Sequence, residues 1–246
     1  MHVFDDLSAE QDRLETILAS LSSEAWETVS AAAGWTIADV VLHLAQTEEG
    51  VVMSASADDQ GRPLEGWRLE NETLDAAIDR QVRAERAAPP VVFERWRAAR
   101  RTALAALRTA DPDRRLRWAQ APLKPATLAT TRLAEHWAHG LDITEPLGIA
   151  FPDTARLRHV AWLGYATLPY AFALADQAFG DVYCELVAPD GSTWRFGDPA
   201  APSSIRGPAG EFCRVGARRR HPAHTTLVAA GPVGSTALGL LRNYAV

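Results

Sequence analysis

In the stretch TRLAEHWAHGLD, residues 131–142, Glu135 and His139 stand four residues apart. On a helix that spacing stacks them on one face, where a carboxylate and an imidazole can reach a single divalent ion. Arg132 and Asp142 continue the same stripe, while Leu133 and Trp137 mark another side. Two ligands hold an ion poorly, so a metal centre needs a third. His43, in the run GWTIADVVLHLAQ, is the best candidate. Two histidines and one carboxylate leave coordination positions open, which suits a catalytic zinc or ferrous ion better than a structural one.

These donors depend on helices. Taken singly, His43 reads as a satisfied core histidine and Glu135 as a surface carboxylate. The metal reading rests on their being brought together, as helical bundles do with inward-facing side chains. Thr36 is a good N-cap with Asp39 three residues on, so a helix starts there and Val40, Val41, Leu44 and Val51 form its buried side together with His43. Asp39 reads as a helix-end charge, with support of a ligand's second ring nitrogen as the alternative. His136 neighbours Glu135 and so points about 100° away around the helix, off the site.

Three further segments complete a four-helix bundle. Leu14, Ile17, Leu18 and Leu21 recur at helical spacing after Leu7, with Ser8 as an available cap. Val92–Leu107 is amphipathic, with Phe93, Trp96, Leu104 and Leu107 apolar and Arg95, Arg97, Arg100 and Arg101 expected in solvent. The metal-motif helix follows Pro125 and stops near Pro146 and Gly148. Between them, Ser54–Pro90 is polar and reads as a flap or long connection, with an exposed helix over Glu70–Arg86 closed by Pro89-Pro90. After Pro152 the character changes. An apolar helix spans 153–179 with a break or kink at Pro169, then comes a β-hairpin around Asp190-Gly191. A strand at Ser204–Arg206, a helix from Pro208, a strand at Thr225–Ala229 and a helix from Ser235 follow. The fold class is α+β, with a metal-binding bundle over 1–150 and a smaller α+β domain over 151–246, residues 153–179 serving as connector.

Bulk properties narrow the function. The formal charge of −6 speaks against a nucleic-acid partner, and no apolar run approaches the roughly 20 residues that span a bilayer. The acidic start MHVFDDLSAEQDRLE lacks a secretory signal's layout, and two cysteines, Cys184 and Cys213, make no disulfide framework. A cytoplasmic monomer or homodimer acting on a small molecule is the expectation.

GWTIADVVLHLAQ together with RLAEHWAHGLD resembles the DinB-like metal-binding bundle of mycothiol-dependent maleylpyruvate isomerases, closest to an uncharacterised metal-binding branch. The run GPAGEFCRVGARRRH is similar to that group's second domain, a sterol-carrier-protein-like α+β module. The resemblance implies His43, Glu135 and His139 as metal ligands, with zinc ahead of nickel or ferrous iron, and mycothiol as a second cofactor. It also gives Arg219 a catalytic role, holding a substrate carboxylate or developing enolate. Read alone, ARRRH is a solvated cluster at a helix C-terminus, and both readings stay open. Arg132 and Asp142 are expected at the substrate.

Such a site deprotonates a coordinated thiol, whose addition to an electron-poor carbon gives isomerisation or transfer. Metal-bound water would instead give a hydrolase, cyclase or lyase. A non-catalytic protein holding metal or an apolar ligand is the alternative of a different class.

Overall fold

The computed structural model describes residues 2–57, 72–118 and 121–244. Packing divides the chain into two units, one running to Phe151 and the other starting at Pro152.

In the first unit, helices α1 (Val3–Ala19), α3 (Ile37–Ser56), α5 (Pro89–Thr109) and α6 (Pro125–Thr144) form the bundle, and short α2 (Ser23–Trp26) lies between the first two. α3 packs along α5 and α6, and α1 lies against both of those helices. Leu14, Leu18, Ile37, Val40, Val41, Leu44, Val92, Trp96 and Ile143 make much of the shared core. α1 starts at Val3, capped by the backbone of His2, so Ser8 lies inside the helix and caps nothing. α3 begins as expected: Thr36 Oγ1 accepts from Asp39 N, and the Asp39 carboxylate accepts from Thr36 N, a complete capping box. Arg86 also pairs with Asp39 through two bonds of 2.8 and 2.7 Å. Asp39 therefore serves the helix end.

The exposed helix expected over 70–86 forms as α4 (Leu74–Ala84), with Asp79–Arg83 paired at 2.7 Å. The rest of the expected flap, 58–71, lies outside the described residues. Pro89 opens α5 rather than closing α4, because a proline at the first helical position has no N–H to lose. Arg100, expected in solvent, is 8 % exposed. Asp12 and Glu15 on α1 neutralise it there, with 2.8 Å to Asp12. At the far end of α6, Gly140 leaves room for the Phe151 ring. A Cβ built on it would lie 2.5 Å from that ring, and Arg13 stacks on the same ring at 3.5 Å.

The second unit holds α7 (Leu157–Ala166) and α8 (Leu168–Leu174), then strands β1 (Val182–Val187), β2 (Thr193–Phe196) and β3 (Ser203–Pro208). Helix α9 (Ala209–Gly216), strand β4 (Val228–Ala230) and helix α10 (Gly234–Leu240) complete it. The single helix expected over 153–179 is two, broken at Thr167 because Pro169 cannot donate into the turn before it. The hairpin turn forms where Asp190-Gly191 stands: Gly191 takes φ +80°, and Asp190 Oδ1 accepts from Ser192 N at 2.9 Å. The sheet order is β2-β1-β3-β4, with β1 and β3 parallel and both edge pairs antiparallel. Pro208 caps α9 from outside rather than sitting at its first position. The architecture is α+β, with a helical N-terminal part and a small mixed sheet after it. No helix among the described residues is long and apolar enough to cross a membrane.

Candidate metal centre

The buried face of α3 carries His43, and one face of α6 carries Glu135 and His139, so the spacing read from the sequence is realised in the helices. One donor atom from each of the three lies within 4.8 Å of the others. His43 Nε2 is 3.6 Å and His139 Nε2 is 3.3 Å from the same oxygen, Glu135 Oε2. Donors on a tetrahedral ion with bonds near 2.0–2.1 Å sit about 3.3 Å apart, so this spread fits one cation. The imidazoles are 5 % and 9 % exposed by residue, while the Glu135 side chain keeps 29 % of its surface. The donor set is thus walled by protein and open on the carboxylate side.

The second ring nitrogens decide which atoms face inward. His139 Nδ1–H donates to Asp142 Oδ2 at 2.9 Å, one turn further along α6. That bond leaves Nε2 as the lone-pair atom turned to Glu135. Two imidazole nitrogens, His43 Nε2 and His139 Nε2, thus face one carboxylate oxygen, Glu135 Oε2. Both ring nitrogens of His139 face carboxylate oxygens, so a second proton or a cation is needed at Nε2.

The electrostatics agree. Burial opposes charge on His139, but the Asp142 and Glu135 carboxylates outweigh it and hold its pKa above the ordinary value. Burial, together with the neighbouring His139 and Arg132 charges, brings His43 down to about 4, against the pull of Glu135. Burial would raise Glu135, yet the two imidazoles and Arg132 hold it well below the usual carboxylate range. The raised pKa favours a proton on His139 over one on His43, and a divalent ion bound here would compete with that proton.

Trp35 roofs the pair, its ring centroid 5.2 Å from His43 and 6.5 Å from His139. The loop that holds Trp35 is pinned from several sides. Gly34 turns at φ +82°, Ser30 N donates to Trp35 O at 2.9 Å, and Ala31 N donates to Asp142 O at 2.9 Å. Trp35 Nε1 donates to Asp79 Oδ1 at 2.9 Å, which ties the roof to α4. Trp35 directly precedes the Thr36 cap in the chain, and its ring contacts are not readable from spacing.

The other sequence candidates fall differently. Asp142, expected at the substrate, has Oδ2 bound to His139 and is 2 % exposed. Arg132, also expected there, is 2 % exposed, with Nε on Glu48 Oε1 at 2.9 Å and Nη2 on Thr47 Oγ1 at 2.6 Å. Glu48 and Thr47 carried no sequence signal, because each looks like an ordinary helix-surface residue. His136 stays off the site, as its position on the helix required. It is fully buried, with Nδ1–H on Arg132 O at 2.8 Å and Nε2 accepting from Trp96 Nε1–H at 3.2 Å. Arg219 belongs to the second unit, where it is half-buried and its Nη1 donates to Ala217 O at 2.7 Å. Cys184 and Cys213 are buried and free, and burial pushes the Cys184 thiol up to about 12.

The donors fit a divalent cation on chemistry as well as distance: N, N and O ligands, a carboxylate behind one imidazole and an accessible side.

Two uncharacterized proteins of Mycobacterium tuberculosis, one from each of two strains, are 33 % identical to this chain over 217 residues, covering 87 % of it and 84 % of theirs. Among solved structures, the mycothiol-dependent maleylpyruvate isomerase superposes with a TM-score of 0.61 at 14 % identity, covering 94 % of this chain and 93 % of that one. A variant of that isomerase with one histidine replaced by alanine gives 0.59 at 13 %, over 87 % and 88 %. At such identities the likeness speaks to the fold. Residues 7–144, which include every donor named above, match the family model described as the mycothiol maleylpyruvate isomerase N-terminal domain, and the chain belongs to that family.

Proposed function

We propose that this chain is a metal-dependent enzyme that uses mycothiol to isomerise, or to transfer the thiol onto, a small electron-poor substrate. One observation carries the reading: a potential ligand atom from each of His43, Glu135 and His139 converges on one point, with Asp142 behind His139, inside the segment that matches the family model. A divalent ion bound there, zinc before nickel or iron, supplies a Lewis acid that renders a coordinated thiol nucleophilic near neutral pH.

The chain's own residues do the rest. His43 and His139 offer Nε2 and Glu135 offers a carboxylate oxygen, an arrangement with positions left for ligand. Asp142 keeps His139 in the tautomer that presents Nε2. Trp35 excludes water from the imidazole side, so nucleophile and substrate meet on the side where Glu135 is exposed. Arg219 is assigned the cation that takes a substrate carboxylate or a developing enolate.

The test replaces the native ion with Co2+ and titrates mycothiol, with glutathione as control. Expected are a thiolate-to-cobalt absorption band and a rise in Tm with mycothiol, followed by turnover of a maleylpyruvate-type substrate that Arg219→Ala abolishes without loss of metal. If neither thiol changes the spectrum or the Tm of the loaded protein, the thiol-dependent reading is wrong.

A further inference from the structure

Arg132 lies three residues before Glu135 and seven before His139, on the same face of α6. Its guanidinium reaches across to α3 one turn beyond His43. There Nε bonds Glu48 Oε1 at 2.9 Å and Nη2 bonds Thr47 Oγ1 at 2.6 Å. Thr47 passes the contact on, since its hydroxyl donates to His43 O at 2.9 Å. On the α6 side, the Arg132 carbonyl accepts His136 Nδ1–H at 2.8 Å. Trp118 covers the guanidinium, 5.9 Å from its ring, and packs at 3.8 Å over the position a Gly50 Cβ would take.

A buried Arg–Glu pair adds little to stability when compared with apolar residues of the same size, because desolvating both charges offsets their attraction. What such a pair does provide is a fixed distance: a planar fork holding two acceptors at once allows one separation of the helices. Glu48 Oε2 is buried with no hydrogen-bond partner, so the pair's polar groups are not fully matched. It stands one turn below three donors that must agree to within a fraction of an ångström.

We propose that Arg132 is a positioning residue: with Glu48 and Thr47 it forms a clamp that sets the separation between His43 on α3 and the Glu135–His139 pair on α6. The clamp rests on the metal-centre reading given above, and it gives Arg132 a role other than substrate binding.

The test compares the full-length chain with Arg132→Met/Glu48→Leu, which replaces the buried pair by apolar side chains of similar size and so keeps the core filled. Zn2+ affinity is measured by chelator competition, the Co2+ visible spectrum reports ligand geometry, and denaturant unfolding of the metal-free chain reports stability. The double variant is expected to fold, to bind Zn2+ about 10–100-fold more weakly, and to show an altered cobalt spectrum. A folded double variant with wild-type affinity and spectrum overturns the clamp. Thr47→Val, which leaves the Arg132–Glu48 pair intact, carries the test if the double variant does not fold; it should weaken Zn2+ binding in the same direction, and wild-type affinity there overturns the proposal. If the wild-type chain itself binds no divalent ion, the metal-centre reading fails separately. The clamp is then decided in metal-free protein by the ring resonances of His43 and His139, which must move in the variant for it to stand.

Discussion

His136 and His139 are buried on the same helix, three residues apart, yet they occupy opposite kinds of surroundings. Each uses Nδ1–H on a fixed acceptor, Arg132 O for the first and Asp142 Oδ2 for the second. The difference is what meets Nε2. At His136 it is a donor, the Trp96 indole N–H at 3.2 Å, with the Gln11 amide nitrogen at 3.5 Å. At His139 it is another acceptor, Glu135 Oε2 at 3.3 Å, with His43 beyond. A histidine that meets a donor is complete. One that meets acceptors at both ring nitrogens needs a positive charge brought in, and this partner chemistry, rather than burial, distinguishes a core imidazole from a candidate ligand.

The contrast can be broken most directly at His139. His139→Ala should lower Zn2+ affinity by more than about 100-fold and so remove the stabilisation of about 2.7 kcal/mol that a metal at 100 times its Kd confers. Metal content after dialysis and Tm with and without Zn2+ measure both. Retained stoichiometric metal would show that His139 is not a ligand. His136→Ala should do the reverse: it leaves the Trp96 N–H buried without an acceptor and opens a cavity, costing about 2–4 kcal/mol in urea unfolding, while the Zn2+ stoichiometry stays at that of the wild type.

Acidity separates the two residues by sign. Burial and the Arg132 charge bring His136 down to about 3, below its unfolded value of 6.5. The unfolded chain therefore binds the extra proton between those values, and this contribution to stability is present above pH 6.5 and lost as pH falls toward 3. The pKa of His139 is raised, so in metal-free protein its contribution is full below pH 6.5 and lost as pH rises through the folded value. Metal loading must run against that: Zn2+ uptake should release a proton and weaken as pH falls through the raised His139 pKa. Unfolding of His136→Phe at several pH values should show a flatter acid limb than wild type, and calorimetric titration in two buffers should show the proton release. Absence of buffer-dependent heat would place the shared proton elsewhere.

A smaller effect sharpens the comparison further. Thr36→Ala removes the cap of α3 two turns from His43 and should cost ~1 kcal/mol with Zn2+ affinity unchanged. A fall in affinity as well would mean that fraying of α3 reaches the donors.

Much of this was legible in the chain. The Glu135–His139 interval, His43 on an apolar face and the Thr36–Asp39 cap are local patterns, and local patterns survive into the helices they specify. The hairpin at Asp190-Gly191 and the break at Pro169 belong with them, because turn chemistry and a missing N–H act within a few residues. What local spacing does not carry depends on partners distant in sequence. Arg100 looked like one more solvated arginine until Asp12 and Glu15, on another helix, faced it. Arg132 looked like a substrate ligand because nothing in its own neighbourhood announces Glu48. Asp142 sat on the right stripe, but the stripe could not say whether it would meet substrate or the adjacent imidazole.

Gly140 shows how narrow the tolerance around the donors is. It follows His139 directly, and the Phe151 ring occupies the space where its side chain would be. A glycine inside a helix costs about 1 kcal/mol against alanine, so a substitution there looks like an easy gain. Here a single added methyl would lie 2.5 Å from the ring's edge, so the ring or the turn bearing His139 and Asp142 must shift. The gain in helix propensity at this point is set against the packing that seats the turn of His139 and Asp142.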